Sequence, residues 1–177
     1  YLQVKLDVSD KNGVLSDGIF YLQADNIDMQ PWLSRWLRDN TSLRDANFSL
    51  SSWVTLKNNR IDSGLIQLRQ GEANWGTGEL AQNLQVNDLL LRMKRQGNGW
   101  LFNIPELDTL KTNEFIWPRG SASVLYLPAS KKYQDNDHWR IRAKDIELER
   151  LSEILPTFSF LTPEMVQDWQ HRQPTGV

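Results

Sequence analysis

The sequence has no cysteine and only two histidines among 177 residues. Disulfides, thiolate metal sites and cysteine nucleophiles are therefore excluded. His138 and His171 lie far apart, each beside a polar stretch, and no HxH, HxxxH or HExxH spacing occurs, so a histidine metal centre has no ligand set. His138 reads as a solvated residue at the start of a strand. The chain lacks a basic excess: the formal net charge is −2, which argues against nucleic acid as a partner. It also lacks any apolar run near 18 residues, so no segment reads as a membrane-spanning helix. The absence of cysteine fits an oxidising compartment. With 40% hydrophobic and 24% charged residues, the chain is long enough and apolar enough for one domain with a sizeable core.

What is present is alternation. Leu2, Val4, Leu6 and Val8 alternate with Gln3, Lys5 and Asp7, the pattern of a strand with one face out of water. Phe48, Leu50, Val54 and Leu56 share one parity, with Ser52 among them. Turn signals punctuate the chain: Lys11-Asn12-Gly13, Asn58-Asn59, Gln70-Gly71, Trp75-Gly76-Thr77-Gly78, Gln96-Gly97-Asn98-Gly99 and Pro118-Arg119-Gly120. Several of the predicted strands are long, about nine to twelve residues, above the usual five or six. Among them are hairpins of 85–95 with 100–104 and of 115–117 with 122–127. A polar loop is expected at Lys131–Asp137. Pro31 predicts a helix to about Asp39, and Thr162-Pro163-Glu164 predicts another, with Thr162 as its cap. The fold expected is mainly β: a long antiparallel meander with two or three short helices.

One unit occurs twice. Phe20–Gln30 reads F-Y-L-Q-A-D-N-I-D-M-Q, and Trp139–Glu149 reads W-R-I-R-A-K-D-I-E-L-E. Ala24/Ala143 and Ile27/Ile146 are identical, and Leu22/Ile141, Asn26/Asp145, Asp28/Glu147 and Met29/Leu148 keep their type. In both, the alternation changes phase at the isoleucine and a helical spacing follows. A strand, a break and a short helix used twice point to a β protein built by repetition.

Catalytic chemistry has little to stand on. The carboxylates at Asp25/Asp28 and at Asp145/Glu147/Glu149 fit the start of a helix, where acids meet free amides, better than a glycosidase pair. The G-x-G at residues 76–78 opens no helix after a parallel strand and lacks a P-loop lysine. The eight tryptophans are the oddity. Exposed on a strand face they suit a sugar-binding module, at an apolar–polar boundary they suit lipid contact, and most fit an ordinary core. Trp53 stands out of phase with its apolar neighbours. In the 31–39 helix, Trp32, Leu33, Trp36 and Leu37 fall on one side, as in a membrane-surface helix or one that packs on a sheet end.

The segments A-D-N-I-D-M-Q-P-W-L (24–33), A-K-D-I-E-L-E-R-L (143–151) and G-E-A-N-W-G-T-G-E-L (71–80) resemble the AsmA-like envelope proteins, and the likeness runs over essentially the whole chain. The resemblance implies an antiparallel sheet curled into an open apolar groove along which phospholipids pass, as in bridge-like, chorein-type lipid transporters. It implies a periplasmic location in a longer protein anchored in the inner membrane, with membrane contact made only by parts outside this sequence. No catalytic residue and no cofactor carries over. The implied partners are phospholipid and neighbouring segments of the same chain. Residues 1–177 read as one fragment of such a protein, with both ends falling within strands or turns. The expected groove residues are Leu2, Val4, Leu6, Val8, Phe20, Leu22, Phe48, Leu50, Leu56, Trp139 and Ile141. The alternative is a β-sandwich carbohydrate-binding or adhesion module, which requires two face-packed sheets.

Overall fold

The computed structural model describes residues 1–35, 37, 42–76, 81–113, 115–130, 136–155, 159 and 161–172. Ten strands form one open antiparallel sheet. β1 (Leu2–Lys11), β2 (Val14–Asp28), β3 (Asp45–Lys57), β4 (Arg60–Trp75), β5 (Gln82–Gln96) and β6 (Gly99–Ile104) neighbour one another in chain order. β9 (Ser121–Leu127) pairs with β6, and β10 (His138–Lys144) is the far edge. β7 (Leu110–Thr112) pairs with the beginning of β5, and β8 (Phe115–Ile116) pairs with β7. The helices are short: α1 (Gln30–Leu33), α2 (Leu148–Ile154) and α3 (Pro163–Arg172). β1 and β10 do not meet, so the sheet is not a barrel. Among the described residues there is one sheet, not the two that a sandwich requires.

The turns form where the residues permit them. Asn12-Gly13 and Asn58-Asn59 both hold two consecutive residues at positive φ, the hairpin geometry that matches strand twist. β2 to β5 are longer than their sequence pattern indicates, up to 16 residues in β4, while β6 to β10 are shorter, at most seven residues. Gln70-Gly71 is not a turn; β4 runs straight through it. The glycine is there because the Phe48 ring of β3 lies over its Cα, where a Cβ would collide with it.

A line of irregularities crosses three strands. β3 alternates without interruption, but β2 carries an extra residue between Ala24 and Ile27, and β4 an extra one between Leu68 and Gln70. β5 stays in step with β4 through Asp88, at φ 65. Each insertion flips the parity, so Ile27, Gly71 and Val86 share a face with Ala24, Leu68 and Leu89. Arg69, the extra residue of β4, donates to the Asp25 carboxylate and to the Ala24 carbonyl. That hydrogen bond holds the Asp25 carboxyl below its ordinary value, against the opposing effect of burial.

The phase change read in both repeat copies has the same physical origin. Asn26 and Asp145 are both in the left-handed region, at φ 52 and 56. The copies then diverge. The first resumes as strand and reaches only the one-turn α1, not a helix over 31–39; residues 36 and 38–41 lie outside the described residues. Its expected single apolar side does not form: Leu33 packs on the core while Trp32 is 52% exposed. The second copy enters α2 directly. The Thr162 hydroxyl accepts the Met165 N–H at the start of α3, and the Trp169 indole donates to Ser152 of α2 at 2.7 Å.

The packed core lies mostly beyond the bulge line, at one end of the strands, and reaches Leu89 just on its near side. Ala46, Phe48, Ala73, Trp75, Val86 and Leu89 form it, with Met29, Leu33, Leu43 and Leu110 against them. The expected hairpin of 115–117 with 122–127 is absent. Trp117 instead turns inward, and its indole donates to Thr112 at 3.0 Å. Residues 105–120 thus form an excursion that covers this end, with the Leu107 N–H donating to the Gly120 carbonyl. Most of the expected 131–137 loop lies outside the described residues.

Two outcomes follow. Gly71→Val is expected to cost about 1–3 kcal/mol by overpacking, and combination with Phe48→Ala to cost less than the sum, in urea unfolding of a double-mutant cycle. Asp25→Asn is expected to destabilise at neutral pH. Because the folded Asp25 value is depressed, its contribution is complete above the unfolded value of about 3.9 and is lost as pH falls through the lower folded value. The gap between wild type and variant should therefore close in acid.

Candidate functional site: an uncovered apolar sheet face

Antiparallel register places directly opposed residues on the same face. One row can be followed across the whole sheet: Leu6, Phe20, Val54, Gly64, Met93, Phe102, Val124 and Ile141. Beside it run Val4, Leu22, Ser52, Ile66 and Leu91, then Leu2, Ala24, Leu50, Leu68 and Leu89. On the other side, Val8, Gly18, Leu56 and Ile61 form a row on β1–β4, and Arg95, Trp100, Tyr126 and Trp139 form one on β5, β6, β9 and β10. The apolar band is about 20 Å wide along the strands and about 34 Å long across them.

The opposite face is mixed at the same levels, with charged and polar residues concentrated at β1, β5 and β10 and apolar ones between them. Lys5, Tyr21, Trp53, Leu65, Arg92, Asn103, Ser123 and Arg142 make one row. Asp7, Ile19, Thr55, Ser63, Lys94, Leu101, Leu125 and Arg140 make the next. Trp53 does lie on this side, tilted against Tyr21 at 5.2 Å between ring centroids.

All eleven residues expected to line a groove stand on the one apolar face. They do not share one environment. At the edges the face is open: Leu2 is 66% exposed, Leu6 54%, Trp139 57% and Ile141 71%. Val8, Phe20, Leu22, Leu50 and Leu56 are half-buried by their neighbours in the sheet. Phe48 is buried in the packed end, beyond the bulge line. The alternation reading missed Ile66, Leu68, Leu91, Met93, Phe102 and Val124, which fill the middle. In Leu65-Ile66, Leu89-Leu90-Leu91, Leu101-Phe102 and Val124-Leu125 both faces are apolar, so no parity stands out.

The aromatic row is amphipathic. Tyr126 and Trp139 are tilted together at 4.5 Å, and the Tyr126 hydroxyl donates to Asp137 at 3.3 Å. Burial, and then the Asp137 charge, push the phenol up, so it stays a donor at neutral pH. A cleft of about 530 Å³ at the bulge line is lined mostly by Asn26, Asn47, Gln70, Gln85 and Asn87, with polar side chains rather than those of the apolar band. Among the described residues no group of three His, Asp or Glu side chains comes together as a metal site. No described helix is long and apolar enough to cross a membrane.

A family model described as YhdP protein matches residues 1–177. The chain belongs to the YhdP family. It is similar to the intermembrane phospholipid transporter YhdP of Escherichia coli (strain K12), with 35% identity over 179 residues. That match covers 99% of this chain and 14% of the relative. No solved structure matches. For a YhdP-family chain, the notable feature of the geometry is that no second layer of the described residues lies over the edges of the apolar band.

Openness has a direct consequence. Ile141→Asp puts a carboxylate where water reaches it, so the thermal unfolding midpoint should stay close to wild type. Val86→Asp, at a position 2% exposed, buries an unpaired charge and should unfold the protein. Circular dichroism melts of both variants check this.

Proposed function

We propose that this chain is a segment of a phospholipid-carrying bridge between membranes, and that its apolar sheet face is the surface on which acyl chains travel. The observation that carries this is the Leu6-to-Ile141 row, apolar except for one glycine and unbroken from one edge of the sheet to the other. A row of this kind, with rows beside it, offers a continuous path rather than a pocket. The name of the Escherichia coli relative, an intermembrane phospholipid transporter, supports the same cargo.

The physical reason is the cost of the alternative. Carrying an acyl chain through water costs about 0.8 kcal/mol per methylene, or roughly 12 kcal/mol for a chain of about sixteen carbons. An apolar face removes most of that barrier. Because it contacts the tail through many weak and equivalent dispersion contacts, the tail can slide without meeting one deep minimum. The charged residues of the opposite face, among them Lys5, Asp7, Arg92, Lys94, Arg140 and Arg142, keep the same sheet hydrated in an aqueous compartment. In this reading residues 1–177 are one piece of a longer repetitive β-groove. The whole protein lies in the periplasm, is anchored in the inner membrane, and passes phospholipid toward the outer membrane. Its contacts here are lipid and neighbouring segments of its own chain.

The test is lipid occupancy. Organic extracts of the gently purified protein, analysed by mass spectrometry, should hold phospholipid above a control protein of similar size. The protein should also take up a fluorescent phospholipid from vesicles. Clean extracts together with no uptake would sink this reading.

A further inference from the structure

The apolar band ends differently at its two sides. Toward the bulge line it runs into the packed core. At the other side, level with the β3–β4 and β5–β6 turns, it ends in cations. A cleft of about 580 Å³ at this end of the sheet is lined by Arg95, on the apolar face, and by Lys57 and Arg60, which pair with each other, alternate with Leu56 and Ile61 and so belong to the opposite face, with Asn58, Asn98 and Asp62 among its other walls. Asp62 is the one carboxylate in it, and it pairs with Lys57 at 3.2 Å. Among the described residues no carboxylate pairs with Arg60 or Arg95. Arg95 gives one N–H to the Gly97 carbonyl at 3.3 Å, which leaves most of its guanidinium donors uncommitted.

A second, independent feature lies in line with this cleft. Arg95 stands on the apolar face and heads the row Trp100, Tyr126, Trp139. Trp and Tyr rings combine an apolar body with a polar edge, and they favour the level where hydrocarbon gives way to polar headgroup. One row therefore holds a guanidinium and then three interfacial aromatics. Next to it, toward the bulge line, lies the aliphatic row of Met93, Phe102, Val124 and Ile141.

We infer that the cleft of Lys57, Arg60 and Arg95 receives the phosphate of a lipid whose tails lie along the strands on the apolar face, with the aromatic row at the level of its ester groups. This rests on the acyl-chain reading above and adds to it the residues that hold the phosphate and the direction in which the lipid lies. Guanidinium groups suit a phosphate because their planar donors reach two oxygens at once. The net positive lining favours an anionic head group and disfavours a cationic one without phosphate. Lys57, already engaged by Asp62, contributes charge more than a free donor.

The test compares two lipids with the same short tails, a phosphatidylglycerol and a diacylglycerol, titrated below their aggregation thresholds against tryptophan fluorescence. The wild type should bind the phosphatidylglycerol about tenfold more tightly, the effect of one charge-assisted contact. Added salt should erode that preference. Arg60→Gln with Arg95→Gln should abolish the preference, with diacylglycerol still bound. Arg140→Gln with Arg142→Gln, on the opposite face, should keep it. Inorganic phosphate should compete at least about tenfold more weakly than the lipid, since it gains nothing from the apolar face. Equal binding of the two lipids by wild type, or a preference that survives in the Arg60/Arg95 variant, overturns the headgroup site and leaves acyl-chain binding standing. Phosphate that competes as well as the lipid makes the cleft a site for free anions and likewise overturns it. If wild type binds neither lipid, both readings fall together. Circular dichroism confirms that the variants are folded, and Arg60→Gln alone, at an exposed turn position, should give a partial loss of preference.

Discussion

A one-residue insertion at the level of Asn26, Arg69 and Asp88 decides which way half of the apolar side chains in β2, β4 and β5 point. Strand alternation has a period of two, so a strict strand would send Ile27, Gly71, Ala73, Trp75, Val86 and Leu84 to the face opposite Leu22, Ile66 and Leu91. The core and the open band would then lie on opposite sides of the sheet, and β3, which alternates without interruption, would pair with neighbours out of phase. The insertions bring both onto one face. Left-handed residues at Asn26 and Asp88 provide the backbone geometry, and Arg69 ties the β2 and β4 irregularities together across β3. The pairing of Arg69 with Asp25 is partly exposed, so its role is better described as fixing register than as supplying stability.

With both sets on one side, the sheet divides its labour along the strand direction. The end beyond the bulges is closed by α1, by the 105–120 excursion and by Trp117, and it holds the only buried hydrophobic cluster among the described residues. The other part has no second layer among the described residues. A single-layer sheet with both faces wet is a poor fold on its own, because exposed aliphatic rows gain nothing from burial. Here the closed end and the long ladders of β2 to β5 hold the backbone in place while the band stays accessible. The charged residues that alternate with the band at the edges, Lys5 and Asp7 on β1 and Arg140 and Arg142 on β10, are the kind that oppose indiscriminate edge pairing.

The legible parts of the fold were those where one face alone is apolar. Leu2 to Val8 reads as a strand because Gln3, Lys5 and Asp7 interrupt it, and the register places it as read. The phase change at Ile27 and Ile146 was visible, and its cause proved to be a left-handed Asn or Asp in each copy. Where both faces are partly covered, as in Leu89-Leu90-Leu91, the pattern carries no parity and the residues at the centre of the band were not separable from core. Gln70-Gly71 has the composition of a turn, but its glycine answers to the Phe48 ring on the next strand, a contact that no local pattern encodes. The 115–127 hairpin failed for a similar reason. Trp117 finds Thr112, and Pro118 cannot donate to a ladder, so β9 pairs with β6 across an intervening excursion. Phe48 shares its parity with the band, and only tertiary packing separates it from the open residues.

The two ends of the band also explain how one surface can be both slippery and oriented. Across the strands, from Leu6 to Ile141, the side chains change size but not character, so a hydrocarbon tail meets no step that would hold it. Along the strands the character changes sharply. Packed core lies at one end, aliphatic rows in the middle, then Trp100, Tyr126 and Trp139, and last the cations at the turns. An amphiphile on such a surface gains free energy from lying parallel to the strands, with its polar group at the turn end. It gains little from any one position along the rows. Translation across the sheet is then nearly level in energy while reversal end-for-end is not. The lipid-carrying role proposed for this face needs that combination, and strand alternation with one line of bulges supplies it.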